Sequence, residues 1–159
     1  MQCYKESGCN VLKYIKYMKI EEIEEDIIDE FSIYDDWMDK YAYLIELGNE
    51  VKPMPEKDKN EDNLIRGCQS QVWFKAEKRD GRLWFAADSD AVITKGLAAL
   101  LLKVFSGQTP EDILNVNLKF IDKIGLLKHL SPTRSNGLVS MIKQIKIYAL
   151  AYSAEGKLS

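Results

Sequence analysis

Apolar residues Ile20, Ile23, Ile27 and Phe31 recur at three- and four-residue intervals with mostly Glu and Asp between them, the signature of an amphipathic helix. A second stripe, Trp37, Tyr41, Leu44 and Ile45, follows Asp35 and Asp36, acids suited to a helix N-terminus, and Gly48 is the expected stop. The short link between the stripes predicts a helical hairpin. Residues 49–63 carry Pro53, Pro55, many charges and little to bury, which predicts a surface connection. Period-two alternation then begins. Val72, Phe74 and Ala76 face Leu83, Phe85 and Ala87 across Asp80-Gly81, a dipeptide that favours a two-residue turn. That turn predicts strands 71–79 and 82–88, pairs Phe74 with Ala87 and Ala76 with Phe85, and puts both apolar sets on one face. Asp88-Ser89-Asp90 reads as a strand exit and helix cap, and residues 91–105 are apolar nearly all round, which predicts a central buried helix.

Thr109-Pro110-Glu111-Asp112 combines a capping hydroxyl, proline at the first helical position and acids in the first turn, so a short helix is expected to about Val116. Another is expected around Leu118–Ile124. Leu138, Ile142, Ile145, Ala149 and Tyr152 then mark a long amphipathic C-terminal helix. The class that follows is α+β: a small antiparallel sheet packed by several helices.

The 159 residues suit one compact unit, placed here at residues 19–155. Twenty-two basic against 25 acidic residues leave a net charge of −3, with no general attraction to nucleic acid or an anionic membrane. The longest apolar run, Gly96 to Val104, is broken by Lys103 and falls short of the roughly 20 residues a bilayer requires. An odd cysteine count, Cys3, Cys9 and Cys68, fits a reducing compartment, so the cytoplasm is expected. Two readings stay open for residues 1–17, a poorly ordered extension or a misassigned start, because the clean helical pattern opens only at Met18-Lys19-Ile20.

Cys68 stands in Gly67-Cys68-Gln69-Ser70-Gln71-Val72-Trp73, where a turn feeds a strand. A free cysteine is commonly an inert small hydrophobe, but Arg66, Gln69, Ser70 and Gln71 are costly to bury, which points to a thiol near solvent or in a shallow pocket. His129, the one histidine, reads most simply as a hydrogen-bonded structural residue; a Cys–His pair for thiol hydrolysis would need it within reach of Cys68. Cys68 has no cysteine or histidine close in sequence, so no metal site is expected. A redox-sensing or partner-binding module would lack an obvious resolving cysteine. The acidic run Glu21 to Glu30 reads as a solvated helix face, Asp88 with Asp90 as a cap, and Arg134 as a loop arginine able to pair with a carboxylate or thiolate.

Four stretches together resemble the SufE family, in the family's order. They are Tyr43-Leu44-Ile45-Glu46-Leu47-Gly48, the Gly67-to-Trp73 loop, Asp88-Ser89-Asp90-Ala91 with Lys95-Gly96-Leu97, and His129-Leu130-Ser131-Pro132-Thr133-Arg134-Ser135-Asn136-Gly137-Leu138. The resemblance implies a SufE-like fold and a sulfur carrier, not an enzyme. It makes Cys68 the sulfur acceptor in the loop of Gly67, Gln69, Ser70 and Gln71. Asp90, Arg134 and His129 fall on family positions near that loop. Implied partners are a SufS-like cysteine desulfurase, whose pyridoxal phosphate belongs to that enzyme and not to this chain, and a SufBCD-like scaffold for iron–sulfur assembly. An acceptor feeding another sulfur pathway, such as RNA modification, shares the same motifs.

Overall fold

A computed structural model describes residues 17–158. The expectations for residues 1–16, Cys3 and Cys9 included, lie outside the described residues. Helix α1 is Ile20–Ser32, α2 Trp37–Glu50, β1 Val72–Arg79, β2 Arg82–Ser89 and α3 Val92–Phe105. Helices α4 (Pro110–Asn115), α5 (Phe120–Ile124), α6 (Leu126–His129) and α7 (Pro132–Leu158) complete the chain, and a single 3-10 turn, Glu56–Asp58, interrupts the long connection. The architecture is α+β, with one two-stranded antiparallel sheet. Among the described residues no helix is long and apolar enough to cross a membrane.

The hairpin has the expected register, Phe74 opposite Ala87 and Ala76 opposite Phe85, and each strand lies within a residue of its expected bounds. Asp80 (φ 53°) and Gly81 (φ 76°) both adopt positive φ, as a type I′ turn requires. Val72, Phe74, Leu83, Phe85 and Ala87 are buried on the apolar face. Tyr148 and Tyr152 of α7 donate their hydroxyls to Phe74 O and Ala76 O, covering part of the open edge of β1. Helix α3 packs against α1, α2, β2 and α7 and contributes nine buried residues, so it is the spine of the core.

Several local expectations give way to tertiary packing. Helices α1 and α2 do not pair along their lengths as a hairpin. They meet at a corner of rings, Phe31 and Tyr34 against Tyr43, and the main partner of α2 is α3. Gly48 does not end its helix; it is buried inside α2, facing Gly96 of α3. A methyl at Gly96 would lie 2.3 Å from Leu44 O, so only glycine allows the two backbones to approach this closely. Nor is the acidic face of α1 uniformly solvated. Glu24 is buried, its carboxylate accepting the Lys119 and Phe120 N–H groups at the start of α5.

Asp88 and Asp90 do not cap α3, whose boundary residue Ala91 offers no side-chain acceptor. Asp88 is buried, accepts the Met54 and Ser89 N–H groups and pairs with Lys59 at 3.6 Å and Lys95 at 3.3 Å. Burial alone would raise its carboxyl; those amide donors and Lys95 outweigh burial and hold it below the ordinary carboxylate value. It thereby ties the 53–59 connection to the end of β2. Arg134 lies not in a loop but in the first turn of α7, which opens earlier than the apolar pattern suggests. Ser131 Oγ accepts the Arg134 N–H at 3.3 Å and Pro132 takes the first helical position, a capping arrangement that hydrophobic spacing does not register.

Candidate sulfur-acceptor site

The cysteine loop is short and held at both roots. On the incoming side Ile65 donates its N–H to Val72 O at 2.8 Å, and Leu64 bridges to Trp73. On the outgoing side three bonds grip Gln71: its N–H donates to Asp90 Oδ1 at 3.1 Å, and its carbonyl accepts from Ser89 Oγ at 2.8 Å and Asp90 N–H at 3.2 Å. Only residues 66–70 stand free of this frame, with Cys68 near their centre. Asp90 thus helps hold the outgoing root of the loop.

Gly67 makes the loop's bend at φ +89°, and a methyl there would fall 2.6 Å from Ser140 Oγ of α7. This backbone state, open to glycine and strained for other residues, turns the next side chain inward. Cys68 is half-buried against the core cluster, and its Sγ–H points to Gly137 O at 3.6 Å. Burial pushes its thiol above the ordinary cysteine value, so at neutral pH the seated sulfur is a protonated, quiet thiol. Gln69 and Gln71 are exposed and Ser70 partly so.

Around the sulfur lies a pocket of about 10 Å³ lined by Cys68, Gln69, Ser70, Thr94, Thr133, Arg134 and Gly137. Two helix beginnings meet there: Thr94 in the first turn of α3, and Thr133 and Arg134 in the first turn of α7. Both bring the positive end of a helix dipole toward the sulfur. Arg134 is exposed, and among the described residues its guanidinium has no ion-pair partner. Sequence reading did not single out Thr94, Gly137 or Ser140. The available signals were a lone hydroxyl in an otherwise apolar helix and two small residues one turn apart on α7.

His129 stands elsewhere. Its ring stacks on Trp37 at 4.0 Å between centroids, its Nδ1 lies 3.0 Å from Gly125 O, and its carbonyl accepts the Tyr41 hydroxyl. The geometry therefore brings Asp90 and Arg134 to the cysteine loop and leaves His129 engaged with α2. The Cys–His dyad that thiol hydrolysis requires is not assembled, since Cys68 and His129 each point to a different backbone carbonyl.

The family model for SufE, described as an Fe-S metabolism associated domain, matches residues 25–149, a span holding the cysteine loop, the hairpin and most of α7. This chain belongs to the SufE family. It is 42% identical over 139 residues to an uncharacterized SufE-like protein of Rhizobium meliloti (strain 1021), covering 84% of this chain and 96% of the relative. Its fold also matches the solution structure of a hypothetical protein from Thermus thermophilus, with TM-score 0.67 and 21% identity, covering 81% of this chain and 94% of that one. For a SufE-family chain the association is with iron–sulfur metabolism, and a half-buried thiol on a framed loop is the chemical group to explain.

Proposed function

We propose that this SufE-family protein accepts sulfane sulfur on Cys68 from a pyridoxal-phosphate-dependent cysteine desulfurase, stimulates that enzyme, and passes the sulfur on for iron–sulfur cluster assembly. The observation that carries this reading is the seating of Cys68: a thiol on five residues whose backbone makes no hydrogen bond to another described backbone group, between rigid roots and beside two helix N-termini. A short loop with fixed ends swings without disturbing the core, which lets one sulfur reach a partner's active site and then return to shelter.

In the transfer step the Cys68 thiolate attacks the outer sulfur of the desulfurase persulfide. The S–S bond there breaks, the desulfurase cysteine leaves as its thiolate, and the new persulfide resides on Cys68. No external oxidant or reductant enters. Because the seated thiol is protonated, the loop has to leave its pocket, or meet a cationic surface, before the attack. Delivery to the assembly scaffold is the same exchange run onward to another thiol.

The test is intact mass after incubation with a cysteine desulfurase and cysteine, comparing the parent protein with Cys68→Ser. A gain of about 32 Da for the sulfur, absent in the serine variant, is expected. A serine variant that still gains sulfur, or still stimulates cysteine turnover in full, refutes the assignment of Cys68.

A further inference from the structure

Helix α7 packs on the core through Leu138, Met141, Ile145 and Ala149, all buried. Its outer face is amphipathic in a way the core does not require. Val139, Ile147 and Leu150 are exposed there, Leu150 to 61%, and between them stand Lys143, exposed, and Lys146, partly so. Neither lysine makes an ion pair among the described residues. The stretch from Lys123 to Ala154 holds five basic residues and no Asp or Glu, so no acid of α7's own neighbourhood in sequence balances this face. Exposed apolar side chains gathered on one side of a helix and rimmed by charge mark a surface that another molecule covers. The complement is at the other end of the same chain. Residues 20–39 hold ten acids and no Lys or Arg. Glu21, Glu22, Glu25, Asp26 and Asp29 make the exposed face of α1, with no ion pair among the described residues, and Ile33 follows them at 75% exposure. Like charges four residues apart, as in Glu21 and Glu25 or Glu22 and Asp26, weaken a helix that no counter-charge meets.

We infer that the outer face of α7 is a docking surface for a second copy of this chain, which lays the acidic face of its α1 along it. The spacing of the two faces sets the register. Asp26, Asp29 and Ile33 are separated by three and four residues, and so are Lys143, Lys146 and Leu150. With the helices parallel, Asp26 meets Lys143, Asp29 meets Lys146 and Ile33 meets Leu150 at once. Within one molecule both helices pack on α3 and turn these faces outward, so the match is made only between two copies. Each copy offers both halves of the contact, as association of like chains requires. Exposed ion pairs are individually weak and are screened by salt, so the association is reversible and falls as ionic strength rises. It is independent of the sulfur chemistry proposed for Cys68.

The test is sedimentation velocity of the full chain with reductant present, over a series of protein concentrations at low and at high salt. The parent is expected to move from monomer to larger species as its concentration rises at low salt, and to return toward monomer at high salt. Lys143→Glu with Lys146→Glu makes both helices acidic, and Asp26→Lys with Asp29→Lys makes both basic. Each pair of changes should weaken self-association about tenfold or more while the melting temperature stays close to the parent's, because all four side chains reach solvent. Mixed in equal amounts, the two variants should associate again, since each supplies the charge the other has lost. Leu150→Ser should weaken association at low and high salt alike. A parent that stays monomeric throughout the low-salt series overturns the inference, as does association that neither charge reversal reduces, or a mixture of the two variants that stays apart. A monomeric parent that instead binds vesicles of anionic phospholipid through Lys143 and Lys146 also overturns it and gives the face to a lipid surface.

Discussion

Gly67→Ala is the sharpest perturbation of the loop. At φ +89° an alanine is strained by about 1–3 kcal/mol, and its methyl would also lie 2.6 Å from Ser140 Oγ. Ser140 can turn its hydroxyl away, so backbone strain is the larger part. The strain bears only on the seated loop, because residues 66–70 are free between the fixed roots at Ile65 and Gln71. The cheapest relief is therefore for the loop to leave its pocket, and the strain appears as a shift in the seated-to-open equilibrium. One to three kcal/mol corresponds to roughly 5–150-fold more open loop. The assay is alkylation of Cys68 by iodoacetamide at fixed pH in the Cys3→Ser, Cys9→Ser background, beside a melting curve. Alkylation should accelerate within that range while the melting temperature moves little, and adding Ser140→Ala should not restore the parent rate. A Gly67→Ala protein that alkylates at the parent rate, or that loses melting temperature with no gain in reactivity, would refute the seated-loop reasoning.

Deleting the Asp90 acceptor with Asp90→Ala frees the Gln71 N–H and should also speed alkylation, by several-fold at most because the bond is exposed and the two bonds to the Gln71 carbonyl remain. Since burial raises the Cys68 thiol above its ordinary value of 9.0, less thiolate is present at any given pH, so the parent's alkylation rate should still be climbing at pH 9. In Gly67→Ala that midpoint should fall back toward the free-cysteine value, and an unshifted parent profile would show the sulfur to be solvated. Arg134→Ala should lower stimulation of a desulfurase while leaving the melting temperature nearly unchanged, for its side chain is exposed and holds no ion pair among the described residues. A parallel fall in both would make Arg134 structural. Gly96→Ala drives a methyl to 2.3 Å from Leu44 O, a backbone atom that cannot rotate aside. The expected loss is about 2 kcal/mol, or roughly 4–8 °C in melting temperature, despite better helix propensity.

Short-range patterns in the sequence decided a good part of this fold. The Asp80-Gly81 turn and the alternation around it specify a register because shifting it by one residue would turn every apolar side chain to solvent. Helix α3 follows from an apolar run that only a core can cover, and Thr109-Pro110 begins α4 through a capping bond from the Asp112 N–H that lies within one turn. Cys68 stood out because its neighbours are polar and small, and the ordered motifs around it named the family before any coordinate did.

Other choices belong to tertiary structure, since they depend on what a distant segment brings. One Glu-rich face looks uniform from within α1, and only the arrival of Lys119 and Phe120, more than 90 residues on, makes Glu24 a buried acceptor. Gly48 has the appearance of a helix stop until Gly96 is laid against it. The contact that seats Cys68 spans 69 residues, to a carbonyl on α7, and Thr94 reaches the same pocket from the far side of the hairpin. Periodicity reports which face of an element is apolar and turn chemistry reports where the chain bends, because both act over a few residues. Which polar atom meets which sulfur is decided by the packing of whole helices, and that information exists only once the core around α3 has closed.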